Sequence, residues 1–213
     1  MAELVFDCLD ARPDRWAAVP TLLFRLRVAE TSGQRVHTIA LRCQLRIEPQ
    51  RRRYSPEESA DLLELFGEPA RWGETLKPLQ FTNVSLMVPG FAGSVEVDLP
   101  VPCTYDFEVA AAKYLHALDD GEVPLLLLFS GTVFAKGDGG MTVDQVPWHK
   151  EASYRMPVTV WRQLMDLYFP NSAWIRLRRD TLDALQRYKA RQAMPTWDDV
   201  LVALLGRAAE AER

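Results

Sequence analysis

The sequence predicts an α+β protein: a mainly antiparallel β-sandwich or curved sheet, with flanking helices and a C-terminal strand-helix-helix. Three observations predict it. Apolar and polar residues alternate in run after run between Leu4 and Met156, which is the period of half-buried strands. A helix-start signal, Ser55-Pro56-Glu57-Glu58, interrupts those runs. From Val158 onward the period becomes that of amphipathic helices. The expected division is a β body with inserted helices over 1–157 and a mostly helical region over 158–213 that can pack on the body as one domain.

Each element has its own signal. Leu4, Phe6 and Cys8 alternate as a first strand, and Asp10 to Pro20, with two prolines, reads as a loop. Leu22, Phe24, Leu26 and Val28 form the buried side of a strand whose other side carries Arg25 and Arg27. After the turn Thr31-Ser32-Gly33-Gln34, Ile39, Leu41, Cys43, Leu45 and Ile47 alternate with Arg42 and Arg46. Two such runs around a short Gly-containing turn predict an antiparallel hairpin. Leu62, Leu63, Leu65 and Phe66 continue the helix that begins at Ser55, and Gly67 and Pro69 end it.

Strands follow at Leu79–Val88 and Val95–Leu99, and Tyr105, Phe107 and Val109 alternate before a helix over Ala110–Leu118. Val123–Phe134 is a continuous apolar strand, expected to be central and covered on both faces. Met141–Val146 and Tyr154–Met156 are strand-like, and Val158–Phe169 is an amphipathic helix. Ser172–Leu177 reads as a short strand. Asp180 is placed to cap a helix bearing Leu182, Leu185 and Tyr188. Thr196 is placed to cap a last helix that buries Val200, Leu201, Leu204 and Leu205.

The net charge of -4 argues against a chain that coats nucleic acid or anionic membrane by bulk charge. Cys8, Cys43 and Cys103 are far apart and odd in number, so neither a disulfide framework nor a zinc site is expected. No signal peptide is visible at the start, and the longest apolar run is too short to span a bilayer. The expected compartment is cytoplasmic, without membrane insertion.

No motif names a reaction. There is no G-x-S-x-G elbow, Walker A sequence or G-x-G-x-x-G turn. His37, His116 and His149 have no second histidine at ligand spacing, so no metal and no cofactor are expected, and the chain is read as no enzyme. What remains points to contacts. Arg25, Arg27, Arg42 and Arg46 would share one face of the predicted hairpin, next to Arg51-Arg52-Arg53. Such a face suits an acidic protein surface, a phosphate or RNA. As a purely structural face it would find cross-strand partners in Glu48, Glu96 and Asp98. Trp148, in the turn-like Pro147-Trp148-His149, is the aromatic residue expected to stand exposed as an interface anchor.

The stretch WIRLRRDTLDALQRYKARQAMPTWDDVLVALL resembles the ribbon-helix-helix family of DNA-binding proteins. That resemblance implies a homodimer whose paired strands enter the major groove. Trp174 and Arg176 would face the bases and Arg178 the phosphates. The same pattern also fits a packing or dimerisation unit.

The whole chain resembles a mainly actinobacterial family of uncharacterised proteins encoded near nickel–iron hydrogenase genes. LRCQLRIEPQRRRY, FGEPARWGETLKPLQFTNVSLMVPGF, VPCTYDFEVAAAKYLHALDDGEVPLLLLFSGTVF and PWHKEASYRMPVTVWRQLMDLYFPNSAWIRL carry the likeness. It implies an accessory, assembly or structural part in a hydrogenase system; with no catalytic motif in the sequence, the expectation is a non-catalytic accessory or assembly protein whose partner is a hydrogenase subunit or maturation factor. It assigns no residue a role.

Overall fold

Alternation sets which side of each strand is buried, and the eight strands among the described residues sort into two sheets with their apolar sides inward. The computed structural model describes residues 2–104, 109–137, 140–172 and 176–211. The chain divides into two units, residues 1–173 and 174–213. The division therefore falls after the helix that starts at Val158, because that helix packs on the β body.

In the first unit the strands are β1 (Leu4–Pro13), β2 (Thr21–Glu30), β3 (Val36–Ile47), β4 (Leu79–Val88), β5 (Ser94–Pro102), β6 (Glu122–Gly137), β7 (Gly140–Gln145) and β8 (Glu151–Pro157). One sheet has the order β1-β2-β5. The other has the order β4-β3-β6-β7, with β8 also on β6. Every strand pairing is antiparallel. Phe6 of β1 stacks on Phe129 of β6 with ring centroids 4.3 Å apart, and Phe24 of β2 meets Tyr154 of β8 edge-on. These contacts across the core tie the sheets into a sandwich.

The expected hairpin of Thr21–Glu30 with Ile39–Ile47 does not form. β2 pairs with β1 and β5, whereas β3 pairs with β4 and β6. The two buried faces look across the core instead of lying side by side. Glu30 shapes the crossover. Its buried carboxylate accepts the backbone N–H groups of Glu3, Ser32 and Gln34 and the Ser32 hydroxyl. Burial alone would raise its pKa, but these donors outweigh burial and hold it below its ordinary value.

A lowered folded pKa gives stability that is complete above the unfolded value, about 4.3. That stability is lost as pH falls through the folded value. The stability gap between the wild type and Glu30→Gln is therefore expected to narrow as the pH falls from neutrality through the folded value. Urea unfolding across that range measures it, and a gap independent of pH would contradict the assignment.

β1 is longer than its Leu4–Cys8 signal. A bulge between Cys8 and Asp10 resets the alternation and turns Ala11 into the core, so this half of the strand reads as a loop. β6 changes edge partner along its length: residues 122–128 pair with β8 and residues 132–137 with β7. Gly131 stands at the changeover with φ +142°, and a Cβ there would lie 2.1 Å from the Ala40 carbonyl oxygen. Gly131→Ala is expected to cost about 3 kcal/mol or more. A urea midpoint corresponding to less than about 1 kcal/mol would count against this account. The strand is covered on both faces only over its first half. Beyond Leu127, Leu128 and Phe134 are half-buried and Ser130 is exposed.

The β3–β4 connection holds α1 (Pro56–Asp61), α2 (Leu63–Phe66) and α3 (Trp72–Thr75). The capping box read at Ser55 is present, with the Glu58 N–H on Ser55 Oγ and the Ser55 N–H on Glu58 Oε2, both 3.1 Å. α4 (Ala110–His116) buries Tyr114 and Leu115. Tyr105 and Phe107, expected to alternate before it, lie outside the described residues. α5 (Val158–Tyr168) buries Val158, Trp161 and Leu164. Its Tyr168 hydroxyl is shared between the carbonyls of Asp14 and Ala17, 2.8 Å from each, and so anchors the β1–β2 loop.

The second unit contains α6 (Arg179–Arg191) and α7 (Trp197–Ala211). Arg178, not Asp180, is the N-cap of α6. Asp180 sits in the first turn and binds the Arg178 guanidinium at 2.6 Å. Thr196 caps α7 as expected: it accepts the Asp199 N–H while Asp199 accepts the Thr196 N–H. Val200 is buried and Leu201 and Leu204 are half-buried, but Leu205 is 70% exposed, contrary to the expected stripe. Ser172, Arg176 and Leu177 belong to no strand, so the described part of the expected Ser172–Leu177 strand is irregular.

Candidate protein-binding face

The four arginines expected on one face are split between the two sheets. Arg25 and Arg27 lie on the outer side of the three-stranded sheet, and both are engaged. Arg25 Nε binds Asp98 Oδ1 at 2.7 Å, Arg27 Nη2 binds Glu96 Oε1 at 3.3 Å, and Arg12 Nη2 binds Asp98 Oδ2 at 2.7 Å. The cross-strand acids Glu96 and Asp98 thus do what the structural reading of this face expected. Burial on its own raises the Asp98 pKa, but the two guanidinium groups outweigh it and hold the carboxyl below its ordinary value. Glu48, the third expected partner, instead binds Arg51 at 2.7 Å.

Arg42 and Arg46 lie on the outer side of the five-stranded sheet. They stand in register with Ser85 and Gln80 of β4 and with Ser130 and Leu126 of β6. Neither makes a hydrogen bond or an ion pair among the described residues. Towards one end of this face Arg155 of β8 sits opposite Pro124. Beyond it, a cleft of about 700 Å³ is lined by Arg51, Arg53, Arg155 and Glu122. Towards the other end the face becomes apolar. Met87 pairs with Ala40, and Val143 of β7 pairs with Phe134. Met87, Met141 and Val143 are 62%, 65% and 58% exposed.

Trp148 stands at the edge of this face, in the turn between β7 and β8, and is 90% exposed. Its ring touches His149 edge-on, with centroids 5.9 Å apart. The Lys150 N–H closes the turn on the Pro147 carbonyl at 3.0 Å. The exposed Trp148 agrees with its sequence signal, whereas Trp161 is core. Sequence reasoning missed Met87, Met141, Val143, Phe134 and Arg155. The available signal was that β6 carries apolar residues on both parities, which a sheet face open to water does not require.

Arg52 is set apart from its neighbours. Its guanidinium is bound to Glu58 Oε1 at 2.5 Å, with both side chains buried. It also donates to the carbonyls of Asp120 and Glu122 and lies over the Tyr54 ring, 5.1 Å from the centroid. Tyr54 and Tyr114 share a hydroxyl hydrogen bond of 2.8 Å, and burial pushes the Tyr114 pKa up to about 12. The tripeptide thus consists of one buried tie and two surface cations, Arg51 and Arg53.

Burial pushes the thiols of Cys8, Cys43 and Cys103 up to about 12, so at neutral pH all three are protonated and poorly nucleophilic. Among the described residues no group of three or more His, Cys, Asp and Glu side chains is placed to hold a metal ion. No helix among them is long and apolar enough to cross a membrane. Of the residues that the ribbon-helix-helix likeness implies, Trp174 lies outside the described residues. Arg176 is exposed, and Arg178 is taken up by Asp180.

These features define an antiparallel α+β sandwich with one broad face, cationic at one end and apolar at the other. The full chain, residues 1–213, matches the family model described as "Family of unknown function (DUF6084)", and the protein belongs to that family. No curated protein matches it. Among solved structures, the β-glucosidase from Kluyveromyces marxianus is 8% identical over 73% of this chain and 15% of that one, with a TM-score of 0.27. The β-glucosidase 3B from Thermotoga neapolitana, in complex with α-D-glucose, is 12% identical over 72% of this chain and 17% of that one, with a TM-score of 0.20. The chain spans less than a fifth of the length of either, and likenesses this slight carry no argument.

Proposed function

We propose that the protein is a non-catalytic accessory or assembly protein that binds a protein partner through the outer face of its five-stranded sheet. One observation carries this reading: Arg42 and Arg46, unpaired among the described residues, stand on the same face as exposed Met87, Met141 and Val143, with Trp148 at its edge. Arg, Met and Trp are the residue types enriched where proteins meet. A partner complementary to this face presents an apolar anchor beside a strip of carboxylates. The resemblance to proteins encoded near nickel–iron hydrogenase genes supports a hydrogenase subunit or maturation factor in that role, and an actinobacterial cytoplasm as the place.

The test is capture by the tagged protein from its own host, with the bound chains identified by mass spectrometry. Hydrogenase subunits or maturation factors held by the wild type and lost on changing this face are the expected result. Capture of the same chains by a protein with the face disrupted would overturn the reading.

A further inference from the structure

The second unit leaves most of its apolar residues uncovered. Val200 is its only buried residue among those described, while Leu182, Trp197, Val202 and Leu205 are exposed, the last two at 68% and 70%. It contains no cysteine and no histidine, so neither a disulfide nor a histidine–thiolate metal site can hold it. Units this small reach stability by such staples or by association.

The charges on the two helices point to what covers them. α6 carries Arg179, Arg187, Lys189 and Arg191 against Asp180 and Asp183, a net of about +2 by formal charge. α7 carries Asp198, Asp199 and Glu210 against Arg207, a net of about −2. The surface is thus complementary to itself. A two-fold axis that sets α6 against α7 of a second copy makes both contacts attractive, whereas setting like helices together would oppose like charges.

We infer that residues 174–213 form a self-association unit, in which two copies pair α6 with α7 of the other chain and bury Val202 and Leu205 in a four-helix bundle. This interface is separate from the partner-binding face proposed above and does not depend on it. The experiment is the mass of the full-length protein in solution over about a hundredfold range of concentration.

The wild type is expected at twice the chain mass. Val202→Lys with Leu205→Lys is expected at the mass of one chain, with an unchanged circular dichroism spectrum. Two charge-reversed forms then test the crossing: Arg187→Glu with Arg191→Glu, and Asp198→Lys with Glu210→Lys. Each alone is expected to weaken the dimer roughly tenfold or more, and mixing the two is expected to restore it as a heterodimer. Restoration on mixing cannot come from contacts within one chain. A wild type at single-chain mass throughout, or a dimer indifferent to Val202→Lys with Leu205→Lys, would overturn the proposal. A mixture no tighter than its components would overturn the crossed pairing.

Discussion

Arg42→Glu combined with Arg46→Glu is expected to abolish partner capture, and Arg25→Glu combined with Arg27→Glu is expected to leave it intact, provided the chain stays folded. The contrast follows from what each pair already does. Arg25 and Arg27 spend their charge on Asp98 and Glu96 within their own sheet. Arg42 and Arg46 have no such partner among the described residues, so their charge is available to a second protein. Reversing both places two carboxylates against the acidic strip that this face is proposed to meet. Losing one central charged contact costs an interface about 2 kcal/mol or more, so the double reversal is expected to weaken binding at least a hundredfold.

Trp148→Ala should act in the same direction with no effect on the thermal midpoint, because a side chain 90% exposed contributes little to folding. Affinity measured by titration against the captured partner decides the matter. Equal affinity of the Arg42/Arg46 variant and the wild type would remove this face from the account.

Glu58→Ala should be among the most destabilising single substitutions in the first unit. The Arg52 guanidinium is nearly inaccessible, and Glu58 is its only carboxylate partner among the described residues. The same carboxylate accepts the N–H groups of Ser55 and Asp119. Removing it strands a buried cation and two donors at once. Breaking a buried ion pair from one side costs about 3–5 kcal/mol. At this chain length that corresponds to a fall in Tm of roughly 10 °C.

Replacing both partners, Arg52→Met with Glu58→Leu, should recover much of the loss, because no charge is then left buried. Urea unfolding of the single and double variants tests this. A loss below about 1 kcal/mol for Glu58→Ala would mean that water reaches Arg52 and the tie is superficial.

Strand faces were legible in the sequence because burial follows parity. Leu22 through Val28 and Ile39 through Ile47 are inward as their alternation implied. Strand neighbours were not legible, because parity says nothing about which strand lies alongside. The short turn after Glu30 looked like a hairpin loop and is a crossover between sheets. That one difference separated Arg25 and Arg27 from Arg42 and Arg46.

Local chemistry read more reliably. The Ser55 and Thr196 caps each depend on residues three apart and were visible. The Arg52–Glu58 tie was not, since nothing in Arg51-Arg52-Arg53 says which guanidinium turns inward. Trp148 was legible as exposed because Pro147 and the polar neighbours His149 and Lys150 place it in a turn. The apolar half of the face was missed because Met141 and Val143 looked like ordinary inward strand residues.

The order in which the strands pair also governs how the protein emerges from the ribosome. The three-stranded sheet is complete in sequence once β5 has been made, but β3 receives its second neighbour only with β6, and β6 receives its edge strands last of all. Until then β3 is paired along one edge only and presents an open ladder of N–H and C=O groups along the other. Pairing between segments so distant in the chain is intrinsically slow, and such intermediates are prone to aggregate. Nascent chains stalled between β5 and β6 are therefore the species expected to be most prone to aggregate.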